Sequence, residues 1–496
     1  MDPEKQFLPQ ELLDNFVDEI GREYIASFAN GYGNEICQTA LISFLSVSRS
    51  FHDRAIGALF RQVHLTDRPE RDINHIIERI SGLRQIMHPT PGSTLRNVAP
   101  CIQTFTLNLK AMRNVQRFRN PIGEDAGHTW LVNTLSNKET TGLFDDLHQN
   151  DFGIREFTLR LTTTRNVIWT ELPPHFSSSV LSLIRSPHLR TLYFAKISLI
   201  PPTLLNGSHI RDLRLEQLAM VQSNNHNPTE HPSNDADGHN LPCPKLDVLQ
   251  TDSDFPVDLD PTTSPLTDLK KFKASCVLPP HYSSTQKILL LAQNTLEDIR
   301  LDFSGERGPS SYIDIYLLLT SFNFFPMVAD ILIPAGSIDF GCMPRLRTLT
   351  LFHFRLFDTP YWQMNDPGMA HICRMLDAYS PLKSLTEINL EFHFNEVGVQ
   401  ENFLHPQPNN HWHDIDGILT SAKYPALRKV GVLVNSDIIM SDHAAVFSKK
   451  RHVQDTRRLL FEAFARLSAS EKIDLTVDVD TSVLHQGGLD LRVDDA

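Results

Sequence analysis

Residues 8–20 read LPQELLDNFVDEI, with Leu12, Leu13, Phe16, Val17 and Ile20 on one face of a helical repeat. Pro9 suits the first turn of that helix, where a missing N–H costs nothing. Gly21, just past the last apolar position, predicts its end. Asn30-Gly31-Tyr32-Gly33-Asn34 is a breaker cluster, after which Ala40, Leu41, Phe44 and Leu45 predict a second helix. Ser46-Val47-Ser48-Arg49-Ser50-Phe51 leads into a third, carrying Ala55, Leu59 and Phe60. Three short helices cannot bury so many large apolar groups among themselves, which predicts an exposed apolar patch of the kind that docks a partner.

Beyond residue 65 the apolar spacing changes to a recurring phrase: an apolar residue, two variable positions, then apolar-x-apolar. The strongest copies start at Leu189, Ile210 and Leu346, and partial copies at Ile102, Ile154, Leu246, Leu296, Leu385 and Leu427. Each contains the period-2 alternation of a short strand. Many follow helix-like segments such as Val180-Leu181-Leu183-Ile184. Successive copies lie about 20 to 50 residues apart, which predicts an uneven β/α array rather than a fixed period. Asn435 alone occupies the position where an asparagine would close the turn after the strand.

Stretches 221–243 and 401–413 are polar and are expected to be loop insertions. Arg457–Leu467 predicts an amphipathic helix, and Ile473, Leu475 and Val477 a closing strand. Lys449-Lys450-Arg451 is a short basic run, expected to be either a solvated loop or a nuclear-import signal. The apolar run Ile315–Ala329 is shorter than the ~18–20 residues needed to span a bilayer, so it predicts buried core.

Composition narrows the function classes. The formal charge of −13 argues against a general phosphate-binding surface, so no nucleic-acid partner is expected. Seven acids between Glu471 and Ala496 face only Lys472 and Arg492, which predicts an acidic tail over 481–496. The six cysteines show no CxxC pair, and the N-terminus has no apolar signal segment. A cytoplasmic or nuclear protein, without a membrane partner, is the expectation.

Leu8-Pro9-x-Glu11-Leu12-Leu13, then Leu41-x-x-x-Leu45-x-Val47-Ser48-Arg49-x-Phe51, closing on Leu59-Phe60-Arg61-x-Val63-x-Leu65, resembles the F-box. The segment Arg22–Glu35 is longer than that family's usual link, and Phe51 stands where many members carry Trp. The later copies match the leucine-rich pattern LxxLxLxxNxL at its apolar positions. They resemble the irregular leucine-rich solenoids that follow an F-box in fungal proteins. The resemblance implies an α/β chain with three domains: adaptor-binding helices at 1–65, a leucine-rich β/α solenoid at 66–480, and the tail.

It further implies a non-catalytic substrate-recognition subunit of a Skp–cullin–F-box ubiquitin ligase, needing no cofactor. Its partners would be a Skp-family adaptor, through it a cullin–RING ligase, and an unknown protein target. The residues expected to meet the adaptor are Leu8, Pro9, Leu12, Leu13, Phe16, Ile20, Leu41, Leu45, Val47, Arg49 and Phe51. Those expected to meet a target are the outward strand positions Tyr193, Arg214, Arg300, Thr350, Glu387 and Asn389. A leucine-rich scaffold outside any ligase stays open as an alternative.

No nucleophile elbow, phosphate loop or HExxH motif is present. His226, His231 and His239 sit with Asp235 and Asp237 in the first polar stretch, and His405, His411 and His413 with Asp414 in the second. Metal binding needs ligands on ordered elements. Both clusters are expected in loops, so no metal and no catalytic residue is assigned, and a metal-dependent hydrolase is only a remote alternative.

Overall fold

The computed structural model describes residues 9–27, 34–66, 74–89, 97–110, 124–148, 153–162, 167–216, 243–252, 264–275, 279–303, 340–357, 367–377, 379–397, 410–440 and 448–485. Among them the chain is mixed α/β, with twelve helices and extensive parallel sheet. It divides into two compact units, Met1–Pro244 with Pro256–Asp258, and Lys245–Phe255 with Leu259–Ala496. The run Ile315–Ala329 and the stretch 221–242 lie outside the described residues. No described helix is long and apolar enough to cross a membrane. Cys37, Cys101, Cys243, Cys342 and Cys373 are not in disulfides.

The first unit opens with α1 (Gln10–Ser27), α2 (Glu35–Phe44) and α3 (Arg49–Leu59). Asn34 caps α2, its Oδ1 accepting from the N–H groups of Ile36 and Cys37 at 3.0 and 3.3 Å. Ser48 caps α3 in the same way through Phe51 N–H. Val17, Tyr24, Cys37, Leu41, Phe51 and Ala55 form the shared core. Asp14 joins α1 to α3 by accepting from Ser50 Oγ at 2.9 Å and lying 3.2 Å from Arg54.

Gly21 does not end α1, which continues to Ser27. The glycine is buried where α1 crosses α3, and a Cβ placed on it would lie 2.9 Å from Cβ of Ala58. A packing need, rather than a stop, selects glycine there. The long link expected after it is therefore partly the last turns of α1.

In the same unit, strands β1 (Gln62–Thr66), β2 (Thr104–Lys110), β3 (Glu156–Thr162), β5 (Thr191–Ala195) and β7 (Asp212–Glu216) pair in that order, all parallel. Short β4 (Val167–Ile168) pairs with β6 (Ile197–Ser198). Between the strands come α4 (Asn74–Met87), α5 (Glu124–Ser136), α6 (Lys138–His148) and α7 (Pro174–Ile184). Register places Phe105, Phe157 and Leu192 in one row and Leu107, Leu159, Phe194 and Leu215 in the next, all buried. Phe144 of α6 meets Phe105, Phe157 and Phe176 edge-on at 5.9, 5.6 and 5.1 Å between ring centres. Such rings favour this geometry because their positive edges meet negative faces.

The second unit holds β8 (Val248–Thr251), β9 (Lys271–Ser275), β10 (Asp298–Asp302), β11 (Thr348–Phe357), β12 (Glu387–Val397), β13 (Lys429–Met440) and β14 (Asp474–His485), again parallel and in chain order. Its helices are α8 (Pro279–Ala292), α9 (Pro367–Leu376), α10 (Asn410–Leu419), α11 (Lys449–Ala463) and α12 (Ala465–Ser468). All nine copies of the apolar phrase contain a strand; β1, β4, β6, β9 and β14 lie outside the pattern, β9 because Ala274 takes the place of its last large residue.

Four boundaries depart from expectation. Asn435 lies inside β13, which runs on to Met440, so no turn closes there. The loop expected to 413 ends earlier, because α10 starts at Asn410. The basic run at 449–451 is the first turn of α11, where Ser448 Oγ accepts from Arg451 N–H. The tail expected from 481 is still strand to His485, beyond which residues are outside the described ones.

Replacing Gly21 by Leu should force α1 off α3 and cost about 1–3 kcal/mol, as overpacked cores do. Thermal unfolding should record a lower midpoint; an unchanged one would mean the crossing is looser than described.

Candidate functional site

The apolar stripe on α1 is wider than its neighbours can cover. Val17, Gly21 and Tyr24 are buried, whereas Leu12 and Phe16, one turn apart, are 56% and 57% exposed. Phe16 meets Phe44 at the edge of the cluster, edge-on at 6.0 Å between ring centres. Val47, three residues beyond Phe44, is 61% exposed. Leu13, Ile20 and Leu45 pack half-buried against the core. Pro9 and Arg49 are exposed, and Leu8 lies outside the described residues.

Two expected adaptor contacts are corrected. Leu41 and Phe51 are 0% and 7% exposed, inside the three-helix core, so they support the patch rather than form it. Phe51 is held there by Phe44, edge-on at 5.5 Å. The sequence reading also missed Ile36 and Ile42, both exposed on α2. Their spacing of six residues puts them off the buried stripe of Cys37 and Leu41, a signal visible in the helical repeat.

The outward sheet positions carry polar rows, and most expected target contacts are already paired. In the first unit, Tyr193 stands beside Arg214 in register, and Arg214 makes a two-pronged bond to Asp212 at 3.1 and 2.7 Å. In the second unit, Arg300 reaches across β11 to Glu391 at 2.7 Å. Thr350 lies in the strand between them and is only 8% exposed, so it is not available to a target as expected. Glu387 accepts from Lys429 at 3.0 Å and from Asn389 at 3.2 Å. The Lys429 bond, then the Asn389 bond, hold the Glu387 carboxyl below its ordinary range. Further along the same face, His393 and Asp437 are 2.9 Å apart and Ser482 also donates to Asp437.

A third grouping gathers on two consecutive helices. His411 and Asp414, one turn apart on α10, stand 3.5 Å apart, Nδ1 to Oδ2. Cys373 of α9 brings its sulfur to within 4.8 Å of both, and its thiol donates to the carbonyl of His411. Burial, and then the Asp414 charge, push the Cys373 thiol up to about 12. Helix α10 is fixed from its other side. Trp412 packs edge-on between Phe392 and Phe464, at 4.7 and 5.7 Å. The buried Asp416 carboxylate accepts from the N–H groups of Arg466 and Leu467 at 3.0 and 2.9 Å. His413 Nδ1 meets the carbonyl of Ala463 at 3.1 Å.

The second histidine group is therefore not a loop cluster. His411, His413 and Asp414 are on a packed helix, while His405 and the whole first group lie outside the described residues. Cys373 could not be linked to them by sequence, since it lies thirty-eight positions before His411.

No protein-family model matches the chain, and no curated protein matches it.

Asp437 supplies a pH-dependent prediction. Its carboxyl sits below the ordinary 3.8, held there by the His393 bond and then by Ser482. A depressed carboxyl adds stability above its unfolded value and loses it as pH falls through the folded one. Asp437→Asn should cost about 1–2 kcal/mol at pH 7. In urea unfolding, the gap to the parent should shrink as pH falls below the ordinary carboxylate range, where the parent carboxyl itself takes up a proton. A gap independent of pH would contradict this account.

Proposed function

We propose that this chain is a non-catalytic substrate-recognition subunit of a Skp–cullin–F-box type ubiquitin ligase. Helices α1–α3 act as the F-box-like docking element, and the parallel strands with their helices act as an irregular leucine-rich solenoid that holds a protein target. The observation that carries the reading is the uncovered apolar surface of the first helices. Nine large apolar side chains are exposed among the described residues, and five of them, Leu12, Phe16, Ile36, Ile42 and Val47, belong to this short segment.

Leaving such groups wet is unfavourable, and covering each is worth roughly 1.5–3 kcal/mol. A partner that completes this surface gains that energy, and a few central anchors suffice to carry an interface. Leu12, Phe16 and Val47 are the anchors in this reading. Leu41, Phe51 and the close crossing at Gly21 hold the helices that present them. The target would meet the outward strand rows, where exposed pairs such as Arg214–Asp212 cost about 1 kcal/mol or less to exchange for new ones. The chain's contribution to the reaction is proximity: it raises the local concentration of target beside the ubiquitin-charged enzyme.

Leu12→Asp with Phe16→Asp should leave the fold intact, since neither side chain is in the core. Co-purification with a Skp-type adaptor should fall about 100-fold or more, two anchors at a tenfold each per 1.4 kcal/mol. Circular dichroism should match the parent. Undiminished adaptor recovery would remove the proposed role.

A further inference from the structure

We propose that Cys373, His411 and Asp414 form a zinc-binding site that ties α9 to α10 in the second unit. Thiolate, imidazole and carboxylate are the three ligand types zinc takes from proteins, at about 2.3, 2.0–2.1 and 2.0–2.2 Å. Bonds of that length at tetrahedral angles set neighbouring ligand atoms about 3.3–3.6 Å apart. The His411–Asp414 separation of 3.5 Å already meets that edge length. The sulfur of Cys373 lies within 4.8 Å of both, so a small adjustment closes the triangle. Asp414 is exposed and can make it.

The frame around the cluster is rigid, which a metal site requires of its ligands. The face of α10 opposite the ligands is fixed by Trp412 between two phenylalanines and by Asp416 at two backbone amides. The cleft at the cluster is also lined by Arg374, Lys423 and Arg466, whose charges oppose a cation. Two of these are drawn elsewhere: Lys423 is bound to Asp377, and Arg374 donates to the Ala370 carbonyl. Water from the open cleft completes a fourth position, the arrangement of zinc sites that keep one exchangeable ligand. The sulfur and nitrogen donors favour zinc over magnesium or calcium, which take oxygen. On binding, the Cys373 thiol proton passes to solvent and its hydrogen bond to the His411 carbonyl is replaced by the metal bond.

The test uses the full chain, stripped with chelator and titrated with Co²⁺ and then Zn²⁺. One equivalent of Co²⁺ should produce a sulfur-to-cobalt charge-transfer band, and one equivalent of Zn²⁺ should abolish it. Asp414→Asn, a surface change, and His411→Gln should each weaken binding about 100-fold or more, beyond the 10–100-fold typical of residues that only support ligands. Cys373→Ser should remove the band, whereas Cys342→Ser, an exposed cysteine elsewhere, should leave it. No charge-transfer band in the parent protein overturns the proposal, and so does a band that survives Cys373→Ser.

Discussion

One backbone arrangement recurs in both units: along most of the parallel ladder, the residue just ahead of one strand offers a single carbonyl to two successive amides at the start of the next. Arg155 and Glu156 both donate to the Gln103 carbonyl, Arg190 and Thr191 to Arg155, and Arg211 and Asp212 to Arg190. In the second unit Glu297 and Asp298 donate to Lys270, Arg347 and Thr348 to Glu297, and Thr386 and Glu387 to Arg347. This fixes the start of each of these strands against its predecessor, so side chains of equal parity fall into straight rows. The phenylalanine and leucine rows, the outward polar rows and the positions of the connecting helices are all consequences of that alignment.

Strand entry points were legible because a strand with one buried face writes its period into the chain. Leu189-x-x-Leu192-x-Phe194 and Leu346-x-x-Leu349-x-Leu351 declare both the buried face and the first residue of the ladder. Strand ends were less legible. In β11–β14 the alternation continues through polar-looking residues such as Ser436 and Thr481, both buried, so the sequence looks finished before the ladder is. Gly21 shows the same limit for helices. A glycine that ends a helix and one that lets two helices touch are the same letter, and only the partner, Ala58, tells them apart.

The candidate sites divide in a similar way. The exposed apolar patch was readable as an excess of apolar residues, but which of them face outward was not, because Val47 sits in the turn between α2 and α3 whereas Phe51 enters the core from the first turns of α3. The outward rows were readable as positions, whereas their pairing was not: Arg300 meets Glu391 across ninety-one residues of chain. The cluster of Cys373, His411 and Asp414 depends on how two helices lie side by side, which no local pattern encodes. What composition suggested was a histidine-rich loop; what places those residues together is the burial of Trp412 one position away.

Because each strand takes its bearings from the one immediately before it, within either unit the scheme has no privileged member. A whole segment comprising one strand and its following helix can be copied or lost, and the next strand still finds a carbonyl of the right kind to dock on. The uneven spacing between copies is then harmless, since length accumulates in the connections and never enters the ladder. Such a chain can lengthen, shorten and acquire new outward residues while keeping its backbone grammar.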